Sequence, residues 1–385
     1  MRIQTREFAR EYDLFGCIQC GKCTGGCPMT LKTELNIRRI IYQTLVAGGS
    51  LDLSGFEVLW DCTTCNTCTM RCPKEVNPME IIIGMRGVLV ESGRIPSTVK
   101  TALQSVFTQG NPLTFARSDR AAWVGDLPVK YIADIAEEAD FLYFVGCTPS
   151  YDPRLRPTTR TLAQVFDRAG LRFGILGEEE QCCGSEVRRL GEAGLFEMLT
   201  EDNMMQFEEL GIHRLVTVSP HCYNAFKNDY PQNGWNLEVQ HYTQLVADLI
   251  ESGKLTFSGE LRQADGSPVL VTYHDPCYLG KHNGVFDAPR TILRSIPGLK
   301  LVEMDRSREK SLCCEGGGGR MWLEGTNREE KLARRRVQEA VETGAQILAT
   351  ACPFCVLTLE EAVKLTGLEE RIQVKEIMEL VAEVL

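Results

Sequence analysis

The run Cys17-x2-Cys20-x2-Cys23-x3-Cys27-Pro28 occurs again as Cys62-x2-Cys65-x2-Cys68-x3-Cys72-Pro73, and no other feature constrains the fold as much. Three thiols two residues apart can wrap one face of a compact inorganic cluster, with backbone N–H groups pointing at its sulfides. The fourth cysteine, followed by proline, turns away from its own run, and in two-cluster proteins of this spacing it serves the other cluster. The spacing therefore predicts two cubane [4Fe–4S] sites. One is expected on Cys17, Cys20, Cys23 and Cys72, the other on Cys62, Cys65, Cys68 and Cys27. Two zinc sites are the competing reading, and the duplicated spacing favours clusters.

Seventeen cysteines in 385 residues mean either a disulfide framework or metal ligation. The N-terminal residues Met1 to Glu7 are charged, with no apolar stretch behind them, so no signal peptide is expected and the chain reads as cytoplasmic. Thiols stay reduced there, which favours metal. No apolar run approaches the roughly 18–20 residues of a membrane span. A net charge of −10 argues against nucleic acid as a partner.

Between and after the two runs, Leu35–Tyr42 and Met79–Val90 have apolar spacing suited to helices, and Asn77-Pro78 is a helix start signal. Residues 1–95 are therefore expected to form an α-helical ferredoxin module, with 96–138 a helical linker punctuated by Pro96, Asn111-Pro112 and Pro128.

The remainder reads as a repeat, 139–262 and 263–385. The apolar run Phe141–Val145 leads to Cys147 as Val269–Tyr273 leads to Cys277. Leu215–Ser219 leads to Cys222 as Ile347–Thr350 leads to Cys352. Short β-branched runs alternate with amphipathic stretches such as Thr159–Ala169 and Arg328–Glu342, the pattern of parallel α/β units. Two α/β lobes related by a pseudo-twofold axis are expected, with cysteines at the carboxyl ends of strands, where open sheets bind ligands. The second half holds five cysteines: Cys277, Cys313, Cys314, Cys352 and Cys355. One tetrahedral ion needs only four ligands, so five suggest a larger cluster. The first half holds four, Cys147, Cys182, Cys183 and Cys222, with Ala225 where alignment by eye puts the fifth.

With these motifs the chain resembles the heterodisulfide reductase D-protein (HdrD-like) family, a ferredoxin module fused to two cysteine-rich CCG domains. The resemblance covers essentially the whole chain. It rests on both ferredoxin runs, Cys182-Cys183-Gly184, Ser219-Pro220-His221-Cys222, His274-Asp275-Pro276-Cys277-Tyr278, the glycines after Cys313-Cys314, and Cys352-Pro353-Phe354-Cys355. It implies that Cys277, Cys313, Cys314, Cys352 and Cys355 hold a non-cubane [4Fe–4S] cluster that reduces a disulfide. The four-thiol set of the first half could hold zinc, a further iron–sulfur cluster or nothing. A second departure from the family pattern is Glu315 in place of glycine, which either takes an unusual backbone angle or points outward.

Gly316–Gly319 lacks the strand–helix context of a nucleotide loop, and bare backbone approaching a cluster explains it better. His274 is a candidate catalytic proton donor beside Cys277, as is Asp275, and His221 lies next to Cys222. No flavin or nicotinamide motif is present, so electrons are expected to come from other redox subunits. These would be a flavoprotein or an HdrA-like electron donor, with a dehydrogenase or reductase as further partner. The expected function is an electron-transfer subunit of an anaerobic redox complex. The alternative is a pure relay coupling a flavoprotein to a dehydrogenase or acyl-CoA reductase.

Overall fold

The computed structural model describes residues 2–323 and 331–385. The N-terminal module is helical, framed by the helices Ile37–Val46 and Pro78–Glu91. Each starts on an asparagine whose side chain accepts an otherwise unpartnered amide: Asn36 from Arg39, Asn77 from Glu80. One short antiparallel pair, β1 (Arg2–Gln4) with β2 (Ser50–Asp52), closes the edge of the module.

Two parallel sheets follow. The first contains β3 (Lys130–Tyr131), β4 (Phe141–Phe144), β5 (Phe173–Ile175), β6 (Arg214–Thr217) and β7 (Glu238–His241), in the order β3-β5-β4-β6-β7. The second contains β8 (Val269–His274), β9 (Leu299–Leu301), β10 (Ile347–Thr350) and β11 (Gln373–Glu376), in the order β9-β8-β10-β11. Without β3 the two orders are identical, β4 matching β8, β5 matching β9, β6 matching β10 and β7 matching β11. The stretch 96–138 opens with the helix Ser97–Gln109, and its far end supplies β3 to the first sheet. A two-residue strand is too short to show alternation in a sequence. Of the amphipathic stretch Arg328–Glu342, the helix Leu332–Glu342 is formed, and residues 328–330 lie outside the described residues.

The lobes meet through helices. The helix Tyr242–Glu251 of the first lobe packs on Asp287–Ser295 of the second, and Ile377–Ala382 of the second packs on Arg156–Arg168 of the first. By place in the repeat these are one pairing seen from either side, as an internal twofold relation requires. A single apolar cluster runs through the junction and includes Tyr143, Val216 and Tyr242 from one lobe and Tyr273, Ile292 and Ile377 from the other.

The repeat extends to the caps of its closing helices. His241 and Glu376 occupy equivalent positions, and each completes a capping box. Burial keeps both neutral, pulling His241 down to about 3 and pushing Glu376 up to about 8. The Tyr242 hydroxyl donates to Glu376 Oε1 across the lobe junction. Because Glu376 has a folded pKa above its ordinary 4.5, its contribution to stability is full below 4.5 and is lost as pH rises through about 8. Glu376→Gln is therefore expected to flatten the fall in melting temperature between about pH 5 and 8. Circular dichroism melts across that range check this, and an unchanged slope would refute it.

Candidate functional site

The two N-terminal runs wrap with the same backbone. Gln19 and Thr64 stand at φ 55° and 49°, and Gly21 and Asn66 at 75° and 65°. A β-branched residue is strained in this region, so something must hold Thr64 there. The second lobe does so: the Thr64 hydroxyl pairs with the Tyr278 hydroxyl at 2.6 Å, and the Thr64 carbonyl accepts from His282 Nε2 at 2.9 Å. The Thr64 N–H is thereby turned onto Cys62 Sγ at 3.4 Å.

Cys17, Cys20, Cys23 and Cys72 line one surface recess. Cys27 sits instead with the second run, where burial, then Cys65 and Cys62, push its thiol up. Cys68 in turn is raised by burial and by Cys62, Cys65 and Cys27. Cys17, Cys20, Cys23 and Cys72 thus gather at one place, and Cys62, Cys65, Cys68 and Cys27 at another. Four thiols with an inward amide suit a [4Fe–4S] group.

At the C-terminal set, Cys277 follows β8, Cys313 and Cys314 lie in a loop, Cys352 caps the helix Pro353–Thr366, and Cys355 stands in its first turn. Their sulfurs form a continuous path, Cys277 to Cys313 to Cys314 to Cys355 to Cys352, each within hydrogen-bonding reach of the next. All five are buried, and the Cys314–Cys355 separation is 3.3 Å. Five converging thiols fit a cluster larger than one tetrahedral ion. Cys65 of the second N-terminal run reaches Cys313 directly, so these two sites share a wall.

The first lobe repeats the path as Cys147, Cys182, Cys183 and Cys222. Strand register corrects the alignment by eye. Thr217 pairs with His241 as Thr350 pairs with Glu376, so Ser219 is the counterpart of Cys352 and Cys222 that of Cys355. The missing fifth thiol is therefore at Ser219 rather than Ala225. Ser219 caps its own helix, its hydroxyl accepting from His221 N–H at 3.2 Å. A buried ion pair borders this set: Arg120 donates to Glu180 at 2.6 Å and lies 3.6 Å from Cys147 Sγ.

Glu315 takes the conformation of the glycine it replaces and does not point outward. Its φ of 72° matches 74° at Gly184 in the first lobe. Its N–H donates to Cys313 Sγ at 3.3 Å, as Gly184 N–H does to Cys182 Sγ at 3.4 Å. The carboxylate is buried, accepting from Lys32 Nζ at 2.8 Å, from Arg320 at 2.9 Å and from Leu332 N–H at 2.8 Å.

The glycine run lies against the ferredoxin module. A Cβ on Gly318 would come within 2.6 Å of the Cys62 carbonyl oxygen, so bare backbone is needed for the lobe to meet the second run.

The histidines take different parts. A ring nitrogen of His274 and the sulfurs of Cys314 and Cys355 lie within 4.8 Å of one another. Arg336 Nε donates to His274 Nδ1 at 3.1 Å, which places the proton of the neutral ring on Nε2. Burial, then the Arg336 charge, hold His274 well below its ordinary value. Asp275 has both oxygens taken by Arg290, at 2.6 and 3.0 Å, and serves as a structural carboxylate. His221 crosses from the first lobe to Cys352. Its Nδ1 meets Glu186 Oε1 at 2.8 Å, and its ring stacks on Tyr278 and makes a tilted contact with Phe354. Burial opposes its charge, but Cys352 and Glu186 outweigh burial and raise it to about 10.

Sequence reading missed Glu186, Arg336, Arg120 and Arg86. For Arg86 a signal existed: it is the one charge between Ile81 and Val90, in an otherwise apolar helix.

Comparisons with known proteins agree with this architecture. Residues 13–76 match a 4Fe-4S dicluster domain, and 141–227 and 271–360 match the cysteine-rich domain CCG. The chain is 32% identical over 99% of its length to the probable iron-sulfur-binding oxidoreductase FadF of Bacillus subtilis, of which it spans 61%. It is 31% identical over 96% of its length to the EtfAB:quinone oxidoreductase of Syntrophomonas wolfei, of which it spans 58%. It is 34% identical to the D protein of the dihydromethanophenazine:CoB–CoM heterodisulfide reductase of Methanosarcina barkeri, over 97% of this chain and 94% of that one. Among the described residues no helix is long and apolar enough to cross a membrane. An iron–sulfur dicluster module joined to two CCG lobes, with this likeness over nearly its whole length, places the chain in the HdrD-like family of iron–sulfur oxidoreductases.

Proposed function

We propose that this chain is the electron-transfer subunit of a cytoplasmic redox complex. In it, two cubane clusters feed a non-cubane [4Fe–4S] centre on Cys277, Cys313, Cys314, Cys352 and Cys355, where a disulfide is reduced. The observation that carries the reading is the contact of Cys65 with Cys313, which sets the second N-terminal site against the C-terminal one. When bound, the C-terminal group supplies the single-electron steps that a two-electron disulfide cleavage needs.

The chain's own residues hold the charges and protons around it. His274, kept neutral by burial and then by the Arg336 charge, gathers with Cys314 and Cys355 and is the proposed catalytic donor. His221, kept protonated by Glu186, faces Cys352 and offsets thiolate charge. The set Cys147, Cys182, Cys183 and Cys222, lacking a fifth thiol at Ser219, is assigned to zinc or a further iron–sulfur cluster that does not meet the disulfide. The partners are a flavoprotein or an HdrA-like electron donor, and a dehydrogenase or reductase. Burial of all five C-terminal thiols favours a second reading, in which the centre passes electrons on without a substrate of its own.

Low-temperature EPR on anaerobically purified, oxidised protein separates the two. The disulfide reading expects a paramagnetic signal that appears on adding a thiol and is lost in Cys355→Ser, while cubane signals persist after reduction. Cubane signals alone, indifferent to thiol, would establish the relay reading instead.

A further inference from the structure

The site on Cys17, Cys20, Cys23 and Cys72 opens on an unusual surface. Its ligand Cys20 is exposed. Phe15 and Ile18, on either side of Cys17, are 62% and 58% exposed. The mouth of the recess carries Lys22, Arg38 and Lys74, and no carboxylate lines it. Arg38 is packed over Gly21 in the loop between Cys20 and Cys23, so its charge is held at the site. Among the described residues none of these three cations forms an ion pair. The acidic neighbours in sequence are Glu75 and Asp13, both exposed, and the Asp13 carboxylate lies beside Gly16, outside the lining of the recess. This cationic collar belongs to a chain whose net charge is −10.

Exposed apolar side chains beside a redox site offer a surface that can be dried on contact, and unpaired cations around them select for carboxylates. Transient redox encounters bury under roughly 1,200 Å², so a few anchors and charges suffice. Resting on the reading of the chain as an electron-transfer subunit, we infer that this face docks an acidic electron-transfer protein. The partner's carboxylates meet Lys22, Arg38 and Lys74, and the apolar rim of its redox group seats on Phe15 and Ile18. The long-range field steers the approach, and salt screens it.

The test uses the full chain with its clusters and an acidic flavodoxin as probe, with binding followed by calorimetry at increasing salt. Affinity is expected to fall at least about tenfold between 20 and 300 mM salt. The combined substitution Lys22→Glu, Arg38→Glu and Lys74→Glu is expected to weaken binding at least about tenfold at low salt. Phe15→Ser with Ile18→Ser is expected to weaken it without changing the salt slope. Absorbance and EPR confirm that each variant keeps its clusters, and Arg38→Glu alone replaces the triple variant if that one loses them. Salt-independent binding, or undiminished binding by the charge variants, would overturn the proposal. So would charge-dependent binding to anionic phosphatidylglycerol vesicles in place of flavodoxin. If reduced flavodoxin binds as expected but leaves the clusters oxidised, docking stands and the electron-transfer reading falls.

Discussion

Arg86→Met is expected to destabilise the chain by about 4 kcal/mol, because it strips hydrogen bonds from four buried carbonyls at about 1 kcal/mol or more each. Arg86 is fully buried and lies over the Trp60 ring. It donates to Leu59 O at 2.8 Å and Cys62 O at 2.7 Å in the ferredoxin module, to Arg189 O at 2.7 Å in the first lobe, and to Gly318 O at 3.0 Å in the second. Two effects oppose each other. Removing a guanidinium from the interior recovers its desolvation cost, which is visible in the lowered pKa of Arg86. Leu59 O keeps the Cys62 N–H at 3.3 Å, but the carbonyls of Cys62, Arg189 and Gly318 lose the guanidinium in a buried setting, and that loss outweighs the gain. The three bodies meet at this one side chain, so the variant should also be cut faster between modules. Thermal melts and limited proteolysis under anaerobic conditions check both effects. A variant that melts with the parent would show that the carbonyls find other partners.

The second large effect is expected at the Lys32–Glu315 pair, which ties the loop after the first cysteine run to the residue after the Cys313-Cys314 pair. Both side chains are nearly inaccessible, 3% and 4% exposed. Breaking a buried pair by removing one partner costs about 3–5 kcal/mol, so Lys32→Met should be strongly destabilising even though Arg320 still reaches Glu315 at 2.9 Å. Glu315→Gly loses the same pair and also the bonds from Arg320 and Leu332 N–H, while relieving a left-handed non-glycine backbone, a strain of about 1–2 kcal/mol. It should therefore be strongly destabilising as well. The double variant should be more stable than the sum of the singles by about 1–3 kcal/mol. Urea titrations of the four proteins measure this coupling. Strict additivity would mean that the pair does not join the modules.

Much of the architecture is legible in the residues. Paired runs of Cys-x2-Cys-x2-Cys-x3-Cys-Pro dictate two wrapped sites, because thiol spacing of this kind is a property of short local loops. The asparagine caps at Asn36 and Asn77 and the β-branched runs that become β8 and β10 are likewise local. The duplication is also visible, since each lobe repeats the order strand, cysteine, helix.

Residue type alone matches Cys222 to Cys352, a pairing displaced by one turn of helix. Only the pairing of Thr217 with His241 and of Thr350 with Glu376 shows that a serine stands where the fifth thiol belongs. Hydrogen-bond register is a contact between segments, and no single segment encodes it. The fate of Glu315 is undecidable from sequence for the same reason. Its neighbours Lys32 and Leu332 lie 283 and 17 residues away, and the charge is tolerable in the interior only because they converge on it. The residues themselves thus determined which atoms can bind a cluster and how each local loop turns. The tertiary structure decided which sites touch, which histidine keeps its proton and which charges are paired, because those depend on burial and on partners brought together from distant parts of the chain.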